Sequence, residues 1–172
     1  MALTRGTWRS VTPRVGMQPI EDVSTTQKHP LGTKLMANDV GTTAYGEACF
    51  CYVKGVASGA QNEWVTYNKD DWSTTLLAAD AIGPVGIMMS ALDAATDFGW
   101  LMVSGKAIGS CLTQLADNAQ VWITATGGSI DDASVAGDLV NNAKSASAAV
   151  VDDLHAEFEI TFPWVDNISS AT

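Results

Sequence analysis

The sequence predicts an all-β domain, either an antiparallel barrel or a sandwich. Eight or nine short stretches carry apolar side chains at every second position or on both parities, as strands do. Turns rich in glycine and aspartate separate these stretches. Only 16% of the residues are charged, against about 25% in an average soluble domain. A chain of 172 residues is long enough to bury one core of this kind.

The stretch 83–112 is the most apolar part of the chain and is rich in glycine. It contains three predicted strands, at 85–89, 98–103 and 107–112, with a bend or bulge at Ser104-Gly105. Apolar residues occupy both parities, so we expect burial on both faces. One face would meet the core, and the other would meet a second sheet or a second copy of the protein. Because one barrel of this size would not bury both faces, we expect a homotrimer.

The other predicted strands lie outside this stretch. They lie at 33–37, 47–53, 63–68, 120–125, 144–151 and 157–162. Residues 73–82 fit either a short strand or a helical turn, and residues 129–143 fit a loop with a short strand. In the last strand, the alternation predicts that Phe158, Ile160 and Phe162 face inward.

The pattern divides the chain into an extended N-terminal arm at 1–32, a β domain at 33–165 and a loose tail at 166–172. Proline and threonine interrupt any periodicity in the arm. The arm nevertheless carries Trp8 and Met17, which a solvated tail would not need. We therefore expect it to become ordered by lying across another surface.

Charge is distributed unevenly along the chain. Residues 1–34 contain five cations and two acids, a net +3, whereas residues 35–172 contain four cations and seventeen acids, a net −13. An acidic body repels the phosphate backbone, so we expect no direct binding of nucleic acid. Arg5, Arg9 and Arg14 are instead expected to dock the arm on an acidic protein surface, including that of a neighbouring copy.

No catalytic or metal-binding motif emerges, and we expect neither an enzyme nor a cofactor. His29 and His155 lack a cysteine or second histidine at ligand spacing and are expected at the surface or a hinge. Asp131, Asp132 and Asp138 cluster near glycines, but the spacing of a calcium-binding EF-hand is absent. A solvated turn explains them more simply.

The three cysteines, Cys49, Cys51 and Cys111, are expected to be buried free thiols. Cys49 and Cys51 would share one face of a strand and would not bond each other.

No stretch reaches the roughly 18 apolar residues of a membrane span, and the first residues lack the apolar run of a signal peptide. Synthesis and folding in a cytoplasm, without membrane association, are the expectation.

Six segments between residues 31 and 165 follow one another in a characteristic order. They are LGTKLMANDVG, GEACFCYVKGVAS, WVTYN, GPVGIMMSALDAATDFGWLMVSGKA, DDASVAGDLVNNA and EFEITFPWV. In this order the chain resembles the capsid decoration (cement) proteins of tailed bacteriophages. The most specific pieces are 52–58, 83–107 and 136–138. The long arm and the cysteine-rich strand depart from the resemblance.

The resemblance implies a β-tulip-like barrel, often trimeric, on the outer surface of the virion. Such a protein binds an expanded icosahedral shell and cements neighbouring major capsid subunits. The expected partners are therefore the major capsid protein and further copies of the chain. The residues we select for the capsid or subunit interface are Arg5, Trp8, Arg9, Arg14, Met17, Met88, Trp100 and Met102.

Two alternatives remain at this point. A carbohydrate-binding β-sandwich would stack sugars on tryptophan, and the chain has six: Trp8, Trp64, Trp72, Trp100, Trp122 and Trp164. Packing in a core or interface explains these tryptophans more simply. The other alternative is a head-fibre or tail-tube component of the virion.

Overall fold

The structure is a computed structural model and describes residues 3–11, 16–150 and 153–168. All regular secondary structure in these ranges is strand, which confirms the predicted all-β class. The eleven strands are β1 (Trp8–Ser10), β2 (Lys34–Asp39), β3 (Glu47–Lys54), β4 (Trp64–Tyr67), β5 (Thr74–Leu76), β6 (Gly83–Met88), β7 (Phe98–Ser110), β8 (Gln120–Ile123), β9 (Ile130–Asp131), β10 (Leu139–Ser145) and β11 (His155–Val165).

The described strands form one antiparallel sheet in the order β1-β2-β3-β7-β6-β11-β10-β8-β9. A side branch leaves this path, because β4 pairs with β6 and also with β5, and β7 pairs additionally with β11. The sheet does not close into a barrel, so the expected barrel is wrong in that respect. The strands at the two ends of the order, β1 and β9, do not pair with each other.

β7 is the longest strand and the hub of the sheet. The sequence predicted two strands here with a bend or bulge between them, but the strand is continuous from Phe98 to Ser110. Gly105 lies in its middle with a φ of 126°, and the pairing with β3 shifts register between Cys49 and Phe50. The first half of β7 therefore pairs with β3 and the second half with β11.

Two apolar clusters lie on opposite faces of β7. Trp100 and Met102 belong to the first cluster, whereas Leu101 and Val103 belong to the second. All four side chains are fully buried. The predicted burial on both faces is thus confirmed, but residues of the same chain supply the cover. The second cluster is completed by Val65 and other residues outside β7, so the need for a second copy disappears.

Some predicted boundaries are wrong. The strand expected at 144–151 lies earlier, at Leu139–Ser145, where Gly137 precedes it instead of interrupting it. β11 continues through Pro163 to Val165 instead of ending at Phe162. Phe162 was expected to face inward, but it is 53% exposed. A bulge between Ile160 and Trp164 reverses the alternation there, as shown by the shifted register with β10.

Candidate interaction surface

The N-terminal segment is part of the domain and does not extend away from it, contrary to the predicted arm. β1 pairs with β2, with Trp8 opposite Asp39 and Ser10 opposite Ala37. The pairing was not predictable from local alternation, because three residues are too few to show a period. Since β1 ends the order of strands, it places the segment at one edge of the sheet.

A polar contact holds the next part of this segment against the first apolar cluster. The Tyr52 hydroxyl donates to Gln18 Oε1 over 2.8 Å, and Trp100 Nε1 donates to the Gln18 carbonyl over 3.1 Å. The Gln18 backbone N–H donates to His29 Nε2 over 3.0 Å. Gln18 is buried, and the His29 ring lies against Tyr52 and Trp100. His29 is thus half-buried and packed against these two rings, whereas the sequence predicted a histidine at the surface or a hinge.

Trp8, Arg9 and Met17, three of the predicted interface residues, meet at one cavity of about 330 Å³. Ile20 and Leu35 add apolar side chains to its lining. The Trp8 ring stands edge-on to Phe50, with 5.2 Å between the ring centroids, so the first apolar cluster fixes its position. Arg9 is exposed. The cavity therefore combines an apolar interior with a cation at its rim.

Arg5 holds the segment in place instead of projecting from it. Its Nη2 donates to the Met89 carbonyl over 3.0 Å, and its Nη1 lies 3.7 Å from the Glu21 carboxylate. Burial lowers the pKa of Arg5, and the Glu21 charge opposes that shift. Arg14, the third predicted arginine, lies outside the described residues.

Met88, Trp100 and Met102 cannot serve as interface residues, which corrects the prediction. All three side chains are fully buried in the chain's own clusters. Their apolar, period-two pattern reflects a strand that is covered on both sides. Sequence reasoning missed Gln18, Ile20 and Leu35. Gln18 and Ile20 lie in an irregular segment that has no period, and the local pattern of β2 does not show that Leu35 faces that segment.

The aspartates of the predicted acidic turn accept hydrogen bonds from the backbone of other loops. Asp132 accepts from the Ala116 N–H, and Asp138 accepts from the Asp80 N–H. Asp131 has a buried oxygen, Oδ1, without a partner, and burial raises the pKa of this residue. No group of three metal-ligating side chains occurs within the described ranges.

The cysteine prediction is confirmed, since Cys49, Cys51 and Cys111 are buried free thiols.

The described part of the chain contains no helix that is long and apolar enough to cross a membrane. No protein-family model, curated protein or solved structure matches the chain.

Proposed function

We propose that this chain is a structural protein that binds the outer surface of a tailed-bacteriophage capsid and cements neighbouring major capsid subunits. The observation that carries the proposal is the surface beside β1. There Trp8, Arg9 and Met17, selected as contact residues from sequence, lie together around one cavity. Such a site suits one apolar side chain of a shell subunit with a carboxylate beside it.

The six segments that carry the resemblance also support the proposal. They fall on β2, β3, β4, β6 with β7, β9 with β10, and β11, all of which belong to the one sheet. The resemblance therefore concerns the part of the chain that forms the two buried clusters. Residues 3–11 and 16–30, which lie outside it, provide most of the cavity.

Binding at one such site need not be tight. A capsid presents many equivalent sites, and bridging contacts to two subunits strengthen each other through effective concentration. A trimer on the outer surface of the virion remains part of the proposal. It rests on the resemblance alone, because stretch 83–112 is covered within one chain.

The burial of tryptophan counts against a sugar-binding platform. Trp64 and Trp100 are fully buried, so neither can stack on a sugar. Trp8 and Trp72 pack against the first and second apolar clusters respectively. Trp164 alone among the six tryptophans has an exposed side chain.

Immunogold electron microscopy of the parent particle would distinguish a capsid protein from a head-fibre or tail-tube component.

Co-sedimentation with expanded capsids of the parent phage tests the proposal. We expect the protein to bind, and Arg9→Ala to reduce occupancy modestly and to flatten its dependence on salt. An exposed ion pair contributes about 0–1 kcal/mol, and salt screens it with a Debye length of about 8 Å at physiological ionic strength. Lys28→Ala, which removes an exposed cation that does not line the cavity, is the matched control.

Two results would count against different parts of the proposal. If the wild-type protein does not sediment with capsids at any salt concentration, the capsid function is wrong. If it binds but Arg9→Ala and Lys28→Ala give the same salt dependence, the surface beside β1 is not the contact. In that case the protein would meet the shell with another face.

A further inference from the structure

The starting point is an aromatic side chain in an unusual conformation. Ile160 pairs with Ala143 and Trp164 pairs with Asn141, so three residues of β11 face one residue of β10. Phe162 lies in this bulge with a φ of 48°, in the left-handed region that a bulky residue rarely adopts. The bulge turns Phe162 away from the core and leaves it 53% exposed. Strain of this kind persists where the surrounding structure enforces it, often at binding sites.

A lysine that forms no ion pair with any described carboxylate lies beside this ring. Lys34 Nζ is 5.9 Å from the centroid of Phe162 and 5.7 Å from that of Tyr67. It makes no ion pair with a carboxylate in residues 3–11, 16–150 or 153–168. By contrast, Lys106 and Lys144 pair with glutamates of β11, over 2.7 and 3.0 Å. Lys34 thus offers its charge to a ligand.

The aromatic surface continues from Tyr67 into a groove. The groove has a volume of about 540 Å³, and its lining includes Tyr67, Lys69, Ile82 and Pro84. Ile82 is 72% exposed at the groove. Lys69 adds a second cation, which likewise makes no ion pair with a described carboxylate.

Trp164 belongs to the same surface. It pairs with Pro84 across β11 and β6, and directly opposed residues of an antiparallel pair lie on one face. Its side chain is 43% exposed. We call the surface formed by Lys34, Tyr67, Ile82, Phe162 and Trp164 the aromatic–lysine strip.

The strip is separate from the cavity beside β1. Leu35 lines that cavity, whereas its neighbour Lys34 belongs to the strip, and successive residues of a strand point to opposite faces. The strip adjoins the second apolar cluster, to which Tyr67 belongs, whereas the cavity adjoins the first. The molecule therefore has two surfaces with binding character on opposite faces of β2.

We propose that the aromatic–lysine strip binds an extended acidic segment of a partner protein, with a carboxylate at Lys34 and aliphatic side chains over Phe162 and in the groove. Charge complementarity selects this ligand, because no described carboxylate pairs with Lys34 or Lys69 and the exposed Phe162 ring lies beside Lys34. The net charge of −10 opposes a long polyanion such as nucleic acid. A neutral sugar would leave both cations unused. The inference does not depend on the capsid proposal.

A peptide titration monitored by amide chemical shifts tests the inference without any capsid. The probe is a blocked heptapeptide of alternating aspartate and leucine, and the comparison peptides replace aspartate by serine or by lysine. We expect the acidic peptide to shift the amides around 34, 67–69 and 162–164. Lys34→Glu should weaken this binding at least tenfold, whereas Lys28→Glu, at an exposed lysine elsewhere, should not.

Phe162→Gly separates binding from folding. Glycine adopts a φ of 48° without strain, so this variant should melt at the wild-type temperature or a few degrees higher. It should nevertheless lose most of its affinity for the acidic peptide. This combination would show that the strained aromatic ring serves recognition and not stability.

Three outcomes would overturn the inference. The first is that the acidic and serine peptides bind equally, which would leave the lysines without a role. The second is that the shifts cluster at Trp8 and Leu35 instead. The third is that light scattering shows self-association that Phe162→Gly abolishes, which would assign the strip to a second copy.

Discussion

At the scale of single residues, the Asp39 carboxylate fastens the N-terminal segment to the sheet. It accepts from the backbone N–H groups of Thr7, Gly41 and Tyr45, over 2.8, 2.9 and 3.0 Å. It also accepts from the Thr43 hydroxyl. Burial raises the pKa of Asp39, but these four hydrogen bonds outweigh it and lower the pKa to about 2 from 3.8. The charged form is therefore the one that the loop requires.

Asp39→Asn should lower the stability at pH 7 by about 1 kcal/mol, since an amide replaces the acceptor carboxylate. The folded pKa lies below the unfolded one, so the contribution of Asp39 is present above about pH 4 and disappears as the pH falls towards 2. Melting temperatures measured by circular dichroism between pH 7 and pH 2 should therefore converge for the variant and wild type. Asp117→Asn, at an exposed position, is the control. A constant gap down to pH 2 would contradict the assignment.

Residue-level prediction in β11 succeeded as far as the bulge. Phe158 and Ile160 are buried, as their alternation predicts, whereas Phe162 is exposed. A bulge adds residues to one strand only, and its position depends on the partner strand β10. Local alternation contains no information about that partner, so the sequence could not show the reversal.

At the scale of elements, residues 3–11 and 16–30 show the clearest failure of sequence reasoning. The sequence predicted an extended arm that becomes ordered by lying across another surface, but Gln18 contacts Tyr52 and Trp100 of the first cluster. Pairing of β1 with β2 joins residues about 30 positions apart, and such a pairing leaves no local pattern. Glycine was more informative, since Ser104-Gly105 was correctly identified as an irregular point in what proved to be β7.

A glycine series tests the element β7. Gly105→Ala should be strongly destabilising, because its φ is 126° and a Cβ would lie 2.6 Å from the Ala48 Cβ. Gly46→Ala measures the cost of the backbone conformation alone, because the φ of Gly46 is 78° and no atom lies within 4 Å of an added Cβ. Gly127→Ala is the control, because the φ of Gly127 is outside the left-handed region and the nearest atom would lie 3.7 Å from an added Cβ.

Urea unfolding should rank the three variants by these two effects. We expect Gly127→Ala to change stability by less than about 0.5 kcal/mol. Gly46→Ala should cost about 1 kcal/mol and Gly105→Ala clearly more. A Gly105→Ala variant as stable as Gly46→Ala would mean that β3 and β7 can separate at Ala48 without loss.

At the scale of the whole molecule, the composition and the period-two alternation predict the all-β class but not the order of the strands in the sheet. The all-β class follows from alternation that any strand shows locally. The order of strands depends on pairings such as that of β11 with β7, between residues about 50 positions apart. The two-sided burial of 83–112 was predictable, but whether the same chain or another copy supplied the cover was not. That depends on where β4 and the loop containing Leu92 pack.

The two apolar clusters should unfold together, because both are built on β7. Leu101 and Met102 are adjacent and fully buried, but Leu101 belongs to the second cluster and Met102 to the first. Replacing either with alanine should cost about 2–5 kcal/mol through lost burial and a residual cavity. Loss of either cluster exposes the other face of the same strand, so each variant should show one calorimetric transition at a lower temperature. Met36→Ala, at a side chain that is 41% exposed, is the control and should cost much less. Two separate transitions in either variant, or calorimetric and van't Hoff enthalpies that disagree, would show that the clusters are independent units.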